Sequence, residues 1–237
     1  MIIKAIKTKV FKKNENLLDF ILNYIPDVNE GDIVVVTSKI VALSEGRTEE
    51  IVNEKTREEL IKKESTFALR TKYTWLTIKD GTVMSSAGID ESNADGKIIL
   101  LPKDSFNSAH LLRKKIQKRY GVKNLGVLIT DSRLLPLRAG VVGVALGYAG
   151  FKGVRDYRKT LDIFGRVLKV SRTDVADSLA TAAVLLMGEG REQKPLAVVK
   201  KAPVDFINKI NQKELLIDPK EDVYAPIFKI LLRKKKI

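Results

Sequence analysis

Short apolar runs that alternate with amphipathic segments place the strongest constraint on how this chain can fold. In its middle and later parts the order is helix SAHLLRKKIQKRYG, strand LGVLITDS, strand VVGVALGYAG, strand RVLKVSRT, helix DVADSLATAAVLLMG and strand PLAVVKK. Apolar residues at helical spacing indicate helix, and short continuous apolar runs bounded by turn residues indicate buried strand. Strands and helices mixed in this way predict an α+β fold, with Asp174 as a suitable cap for the long helix.

The first hundred residues follow the same rule. We interpret IIKAIKTKVF as a strand, NENLLDFILNYI as a helix capped by Asn14 or Asn16, and DIVVVTSKIVAL as a buried strand that runs into a polar junction. TREELIKKESTFALRTK predicts a charged helix, WLTIKDGTVMSS two strands joined by Asp80-Gly81, and KIILLP a further strand. The tail EDVYAPIFKILLRKKKI predicts a final amphipathic helix. Without repeats or linkers, residues 1–237 are expected to form one functional unit.

Composition excludes several classes of site. The 237 residues, 44% of them hydrophobic, can bury the core of one large domain or of two interlocked ones. The absence of cysteine and the single histidine, His110, exclude disulfides, thiolate nucleophiles and sites that need two imidazoles. No apolar run approaches the ~20 residues that cross a bilayer, and the N-terminus lacks a signal-peptide pattern. We therefore expect a cytoplasmic protein without a membrane partner.

The charge balance favours a partner that is rich in phosphate. The chain has 43 Lys and Arg against 29 Asp and Glu, a net charge of +14. Most lysines fall on predicted helix faces, and aromatic residues make up only 6% of the chain. A nucleotide is therefore a better expectation than a nucleic acid, for which base-stacking aromatics would be needed.

Acidic and amide side chains are concentrated in the segment SAGIDESNADG, between two apolar runs. Such residues are typical of a simple chain reversal, but two later segments favour a site. NLGVLITDS brings Asp131 and Ser132 to the end of an apolar strand, and LLMGEGREQKP brings Glu189 to the end of a helix. With Asp90 these are hard oxygen ligands for Mg²⁺ or Mn²⁺, and Lys39, Arg138 and Arg155 are candidate phosphate partners. The set predicts metal-assisted phosphoryl chemistry without a Walker-type loop.

Five segments in order resemble the motifs of the coenzyme F420-0:L-glutamate ligase family, also called gamma-glutamyl ligases. They are DIVVVTSKIVALSEGR, SAGIDESN, GVLITDS with LRAGVVGVALGYAG, DYRKTLDIFGR, and DSLATAAVLLMGEG. The resemblance implies largely antiparallel sheets with flanking helices in two interlocked subdomains, and an intertwined homodimer. It also implies a ligase that uses GTP, with ATP as an alternative, and two divalent cations per site to join L-glutamate to an acceptor through an acyl phosphate.

The resemblance also assigns roles to individual residues. Asp90 and Asp131 would bind the first metal ion, and Ser132 and Glu189 the second. Nucleotide contacts would come from Ser38, Lys39, Asn93, Gly188 and Gly190. Arg138 would hold phosphate or the acidic acceptor as a catalytic residue.

Two departures from the family pattern concern the substrate pocket. Leu43 stands where the family commonly has lysine, and Leu134 and Leu135 replace a Gly-Arg pair after Asp131. The acceptor is therefore either a deazaflavin or a folate, since both offer a carboxylate on a flat heteroaromatic body. A different class of function, a non-catalytic nucleotide- or RNA-binding protein with the same fold, would tolerate Asp131→Asn.

Overall fold

Strands and helices are interspersed along the chain, as the alternating sequence pattern predicts. The computed structural model describes residues 1–50, 53–94 and 96–227. In these residues the strands are β1 (Ile2–Ile6), β2 (Asp32–Thr37), β3 (Thr48–Glu49), β4 (Phe67–Arg70), β5 (Trp75–Lys79), β6 (Thr82–Ser85), β7 (Ile98–Ile99), β8 (Leu125–Leu134), β9 (Val141–Ala149), β10 (Val154–Asp156), β11 (Arg172–Asp174) and β12 (Leu196–Lys200). In the same residues the α-helices are α1 (Leu17–Tyr24), α2 (Ser38–Ser44), α3 (Glu54–Lys63), α4 (Ser105–Tyr120) and α5 (Val175–Met187), and Ser86–Gly88 form a 3-10 turn.

The largest sheet in the described part of the chain has the strand order β1-β12-β2-β8-β9. Its pairs are antiparallel except β2 and β8, which run parallel and place Thr37, the last residue of β2, opposite Thr130 within β8. Smaller antiparallel sheets are formed by β4-β5-β6, β3-β7 and β10-β11. The predicted α+β class with largely antiparallel sheets is therefore confirmed.

Helices cover both faces of the large sheet, which explains why residues 33–36 of β2 are all apolar. Val34 and Val36 point into a core shared with α1, α2 and α4, whereas Ile33 and Val35 point into a second core beneath α5. All four side chains are fully buried, and such burial contributes about 1.5–3 kcal/mol for each. A strand covered on both faces needs no polar alternation.

Small residues in β9 allow two helices to approach it closely. A side chain at Gly143 would collide with the backbone of Ala180 in α5, and one at Gly147 with the start of α4 at Ser105. The glycine-rich run VVGVALGYAG is therefore explained by packing.

The β4-β5-β6 sheet and α3 enclose a separate core of Ile61, Trp75, Ile89, Ile98 and Leu100. This unit is tied to the end of α2 by the carboxylate of Glu64, which follows α3. Glu64 Oε2 accepts from Arg47 Nη2 at 2.9 Å and from Lys79 Nζ at 2.8 Å, and its side chain is 13% exposed. The carboxylate of Glu64, which is mostly shielded from solvent, therefore joins three chain segments.

Several predicted elements have different limits in the structure. The charged helix ends at Lys63, and the residues from Phe67 to Arg70 form β4 instead, because their apolar side chains pack on β5. The strand predicted at RVLKVSRT is reduced to a Leu161–Val167 bridge and to β11. Asn16 and Asp174 cap α1 and α5 as predicted, and Asp80-Gly81 joins β5 to β6.

The predicted C-terminal helix lies mostly outside the described residues, which end at 227. Within the described ranges, the helices are too short or too polar to cross a bilayer.

Replacing Glu64 by Gln should destabilise the protein at pH 7.5 by about 1–3 kcal/mol, because two cations lose their anion in a partly screened site. Burial raises the pKa of Glu64, but Lys79 and Arg47 outweigh it and hold the pKa below its ordinary value of 4.5. The charged carboxylate therefore stabilises the fold above pH 4.5, and this contribution disappears as the pH falls through the lowered pKa. Urea unfolding of wild type and Glu64→Gln should converge in acid.

Glu59, an exposed residue of α3, provides the matched control. Glu59→Gln should leave the urea midpoint close to that of wild type at both pH values. An equal loss in the two variants would show that the Glu64 bridge contributes nothing specific.

Candidate functional site

The parallel pairing of β2 and β8 creates the centre of the candidate site. Thr37 lies opposite Thr130, so the residues that follow, Ser38 and Asp131, emerge side by side at the same edge of the sheet. Ser38 Oγ donates to Asp131 Oδ1 at 3.4 Å. The carboxyl ends of parallel strands are where α/β sheets commonly bind ligands. Ser38 begins α2, so the predicted polar junction is a strand-to-helix turn.

Asp131 is a carboxyl group without a direct cationic partner among the described residues. Burial raises the pKa of Asp131 to about 6; the backbone N–H of Ser132 and the charge of Arg133 lower it, whereas the charge of Asp90 raises it further. β8 continues beyond Asp131 to Leu134, so the predicted strand end marks the end of burial and not of the strand. A bound cation would stabilise the ionised form of this carboxyl group.

Lys39 links the start of α2 to the acidic turn around Asp90. Its Nζ lies 2.8 Å from Asp90 Oδ2 and donates to Ser92 O at 2.7 Å and to Ser92 Oγ at 3.2 Å. Asp90 Oδ1 accepts from the backbone N–H of Ser92 at 2.7 Å. Although burial raises the pKa of Asp90, Lys39 and Ser92 outweigh it and keep that pKa below its ordinary value. Asp90 is therefore ionised and compensated.

A left-handed turn holds Asp90 in place. Ser86, Ala87 and Gly88 all have positive φ angles, of 47°, 55° and 71°. The N–H of Ala87 donates to Thr77 Oγ1 at 2.8 Å, and Thr77 Oγ1 donates to Met84 O at 2.8 Å. Two successive non-glycine residues in this conformation are costly, so the buried hydroxyl of Thr77 stabilises a strained turn.

The loop after α5 completes the site from the other face of the sheet. Gly188 caps the helix, and its N–H donates to Val184 O at 2.8 Å. Asn93 Nδ2 donates to Gly190 O at 3.3 Å, and the N–H of Gly190 donates to Glu192 Oε2 at 2.8 Å. This loop therefore contacts the acidic turn directly.

The pKa of Glu189, in the same loop, depends on burial and on the charges of several other groups of the site. Incomplete hydration raises the pKa of Glu189, hydrogen bonding by Ser132 and the charge of Lys39 lower it, and the charges of Asp90 and Glu192 raise it again. The net result is a raised pKa, for which loss of hydration is the main cause.

The structure brings together nearly all of the residues that the sequence indicates. The group that meets at this edge of the sheet consists of Ser38, Lys39, Asp90, Asn93, Asp131, Ser132, Gly188, Glu189 and Gly190. Arg138 is separate from it: it is exposed in the β8–β9 hairpin, and its side chain has no partner in the described part of the chain. Arg155 donates to Pro203 O and is likewise bound elsewhere.

Sequence reasoning assigned no role to two further residues, Ser92 and Glu192. Ser92 anchors both Lys39 and Asp90, and Glu192 holds the backbone of Gly190. Both lie inside the polar segments noted in the sequence, but composition alone gives no signal that separates an anchoring residue from its neighbours.

The donors at this edge suit a hard divalent cation that keeps other ligands. Among the described residues, no three or more acidic, histidine or cysteine side chains form a complete metal site. The hydroxyl group of Thr130, the residue before Asp131, is buried and has no hydrogen-bond partner among the described residues. Mg²⁺ characteristically takes one or two carboxylates together with water and substrate phosphates. The carboxyl group of Asp131 and its polar neighbours therefore fit such an ion.

Comparison with known proteins gives a consistent result. The sequence model of the F420-0:Gamma-glutamyl ligase family matches residues 5–201. The coenzyme F420:L-glutamate ligase of Methanocaldococcus jannaschii is 33% identical over 238 residues, covering 92% of this chain and 94% of that protein. The ligase of the same name from Methanothermobacter thermautotrophicus is 34% identical over 218 residues, 84% of this chain and 86% of its own. That of Methanococcus maripaludis strain C7 is 42% identical, but the match spans only 58% of its length and 62% of this chain.

Replacing Gly88 by Ala should destabilise the turn that carries Asp90. The new Cβ would lie 2.6 Å from Leu101 Cγ, in a left-handed conformation that already disfavours side chains. Gly121, at the end of α4, has the same φ of 71°, but a Cβ added there would have no atom within 4 Å, so Gly121→Ala reports the conformational cost alone. We expect Gly88→Ala to lose about 1–3 kcal/mol more than Gly121→Ala in urea unfolding. Equal losses would contradict the proposed collision.

Proposed function

The chain belongs to the F420-0:gamma-glutamyl ligase family, and we propose that it joins L-glutamate to the carboxylate of a deazaflavin in a GTP-dependent reaction. The predicted ligase class is thereby confirmed at the level of the family. The nucleotide, the cations and the reaction course are proposals that rest on the site. The observation that carries them is the convergence of Ser38, Lys39, Asp90 and Asp131 where β2 ends beside β8.

The proposed acceptor follows from the relatives and from the surface near Asp131. The relatives are named for coenzyme F420, which favours a deazaflavin over a folate. Leu134 and Leu135 are 56% and 47% exposed just beyond Asp131 and offer an apolar surface for a flat ring system. Leu43, the other departure from the family pattern, packs against the core beside α1 and α2. Its effect is therefore on packing rather than on a nucleotide contact.

Two bond exchanges would complete the proposed reaction. An oxygen of the acceptor carboxylate bonds to the terminal phosphorus of the nucleotide, and the bond from that phosphorus to the bridging oxygen of the diphosphate breaks. The amine of L-glutamate then bonds to the acyl carbon, the carbon–oxygen bond to phosphate breaks, and the amine loses its extra protons to solvent. The products are an amide, a nucleoside diphosphate and phosphate. Negative charge accumulates on phosphate oxygens in the first exchange.

The side chains of the site suit this charge distribution. Lys39 provides a cation that is already oriented by Asp90 and Ser92, and the backbone of the loop from Gly188 to Gly190 can approach phosphate closely. Asp131, with Asp90, Ser132 and Glu189, would hold Mg²⁺ or Mn²⁺. When bound, these ions would neutralise phosphate charge and polarise the phosphoryl group whose phosphorus is attacked.

We also propose that the protein acts as a homodimer. Large apolar side chains project from the β8–β9 hairpin and from the segment between β10 and β11: Leu137, Ile163 and Phe164 are 104%, 92% and 81% exposed relative to a fully accessible residue. Large apolar residues exposed to this extent are typical of a surface that is covered by another protein molecule.

Incubation of the protein with L-glutamate, GTP and Mn²⁺ should add one or more glutamyl groups to the deazaflavin acceptor, detected by mass spectrometry. A reduced folate and ATP, each in a separate reaction, test the alternative acceptor and nucleotide. Product from the folate alone would overturn the proposed acceptor. Absence of product with either acceptor, despite GTP binding, would favour the non-catalytic alternative.

Asp131→Asn should lower turnover by about 10²-fold or more, because the carboxylate that we assign to the metal ion is removed. The fold should be retained, since Asn has nearly the same volume and removes a buried charge. Asp27, exposed just after α1, provides the control, and Asp27→Asn should keep wild-type turnover. Wild-type turnover in Asp131→Asn would contradict the assigned site.

Light scattering after size exclusion should give twice the chain mass of 26.5 kDa. The double substitution of Ile163 and Phe164 by Asp should shift the mass toward the monomer, because it places two charges on the proposed interface. Tyr73 is 85% exposed on the β4–β5 turn, so Tyr73→Asp tests whether any exposed apolar residue has this effect. A monomeric wild type would refute the dimer.

A further inference from the structure

Arg133 presents a largely enclosed cation that no described residue satisfies. Arg133 lies two residues beyond Asp131 on β8. In β9, Val144 is opposite Asp131 and Val142 is opposite Arg133, so the side chains of Asp131 and Arg133 leave the same face of the strand. The Nε atom of Arg133 is inaccessible to solvent and has no hydrogen-bond partner in the described residues. A guanidinium group keeps its charge at any physiological pH, so enclosing it without a partner is costly.

The surroundings of Arg133 supply negative charge but no direct contact. The β6 strand packs against β8, and the carboxylates whose charges act on Arg133 are Asp131, Asp177 and Asp80. None of the three forms an ion pair with it in the described part of the chain. No described residue forms an ion pair with the guanidinium, and its Nη groups, unlike Nε, are not enclosed, so they can meet an acceptor from outside the chain.

Arg113, a buried arginine, shows how such a residue is satisfied when its role is structural. In α4 it donates from Nε to Leu125 O at 2.7 Å and from Nη2 to Asn208 Oδ1 at 3.0 Å. Arg47 is likewise paired, with Glu64. Arg133 differs from both because no hydrogen bond joins its guanidinium to any described residue, so the group can still bind an oxyanion from outside the chain.

We propose that Arg133 binds an oxyanion of the substrates beside Asp131, either the carboxylate of the acceptor or the terminal phosphate of the nucleotide. This inference rests on the proposed ligase function. The planar guanidinium can donate two parallel hydrogen bonds to two oxygens of one carboxylate or phosphate. It would donate hydrogen bonds without transferring a proton, and its charge would stabilise the oxygens on which negative charge accumulates during phosphoryl transfer. Arg138, assigned this role from the resemblance, is exposed and further along the hairpin.

Steady-state kinetics of Arg133→Gln and Arg133→Lys test the inference, with the acceptor and GTP varied in turn. Arg133→Gln should lower kcat/KM by about 10²-fold, and Arg133→Lys should recover part of it, because lysine restores charge but not the paired geometry. If only the KM for the acceptor rises, Arg133 binds the acceptor carboxylate. If only the KM for GTP rises, Arg133 binds the terminal phosphate. The exposed Arg119 of α4 is the control, and Arg119→Gln should match wild type.

Two kinetic outcomes would overturn the inference. One is that kcat/KM of Arg133→Gln stays within twofold of wild type for both substrates. The other is that the activity lost in Arg133→Gln returns at high protein concentration together with the dimer, because Arg133 would then pair with a second copy of the chain. Unchanged thermal melting of the variants separates loss of binding from loss of fold.

A binding measurement distinguishes failure of this inference from failure of the proposed function. If wild type forms no glutamyl product, the ligase function fails, and Arg133 is then tested by thermal melting with millimolar tripolyphosphate and, separately, glutarate. At least one anion should raise the Tm of wild type, and Arg133→Gln should lose at least half of that rise. Equal rises in both proteins, or no rise in wild type with either anion, would refute an oxyanion site at Arg133.

Discussion

The parallel contact between β2 and β8 is the constraint on which the candidate site depends. In the large sheet it is the pair that departs from antiparallel order, and it places the end of β2 beside Asp131 of β8. An antiparallel arrangement would place Ser38 and Asp131 at opposite edges of the sheet. The helices on both faces make this arrangement stable, because they bury a strand pair that is rich in branched apolar residues.

At this edge of the sheet, some charged side chains have an oppositely charged partner among the described residues and others do not. Asp90 is matched by Lys39 and by the N–H of Ser92, whereas burial leaves Asp131 with a raised pKa and no cation in contact within the described chain. Arg133 has the opposite imbalance, a cation whose Nε–H lacks an acceptor in the same residues. A site that receives both divalent cations and phosphate oxygens gains from such groups, because neither has to leave a partner within the chain before it binds.

The precise position of the acidic turn depends on residues away from the chemistry. Thr77 and Leu101 fix the left-handed turn before Asp90, and Glu64 ties the small sheet that carries this turn to the end of α2, the helix that contains Lys39. Strain at the turn is therefore offset by buried hydrogen bonds and by an ionic link between the two units. The site joins two packed units, and its geometry is determined by the contacts between them.

The sequence by itself determined the chemistry available to this protein. Apolar periodicity identified most strands and helices, and the hard oxygen groups at Asp90, Asp131 and Glu189 indicated the donors, because these features depend on residue type and local spacing. Only the tertiary structure decided which groups meet. The pairing of Lys39 with Asp90, the separation of Arg138 and the unsatisfied guanidinium of Arg133 depend on strand direction and sheet packing between residues far apart in sequence. The end of α3 at Lys63 was likewise decided by pairing of β4 with β5, which outweighed local helix propensity.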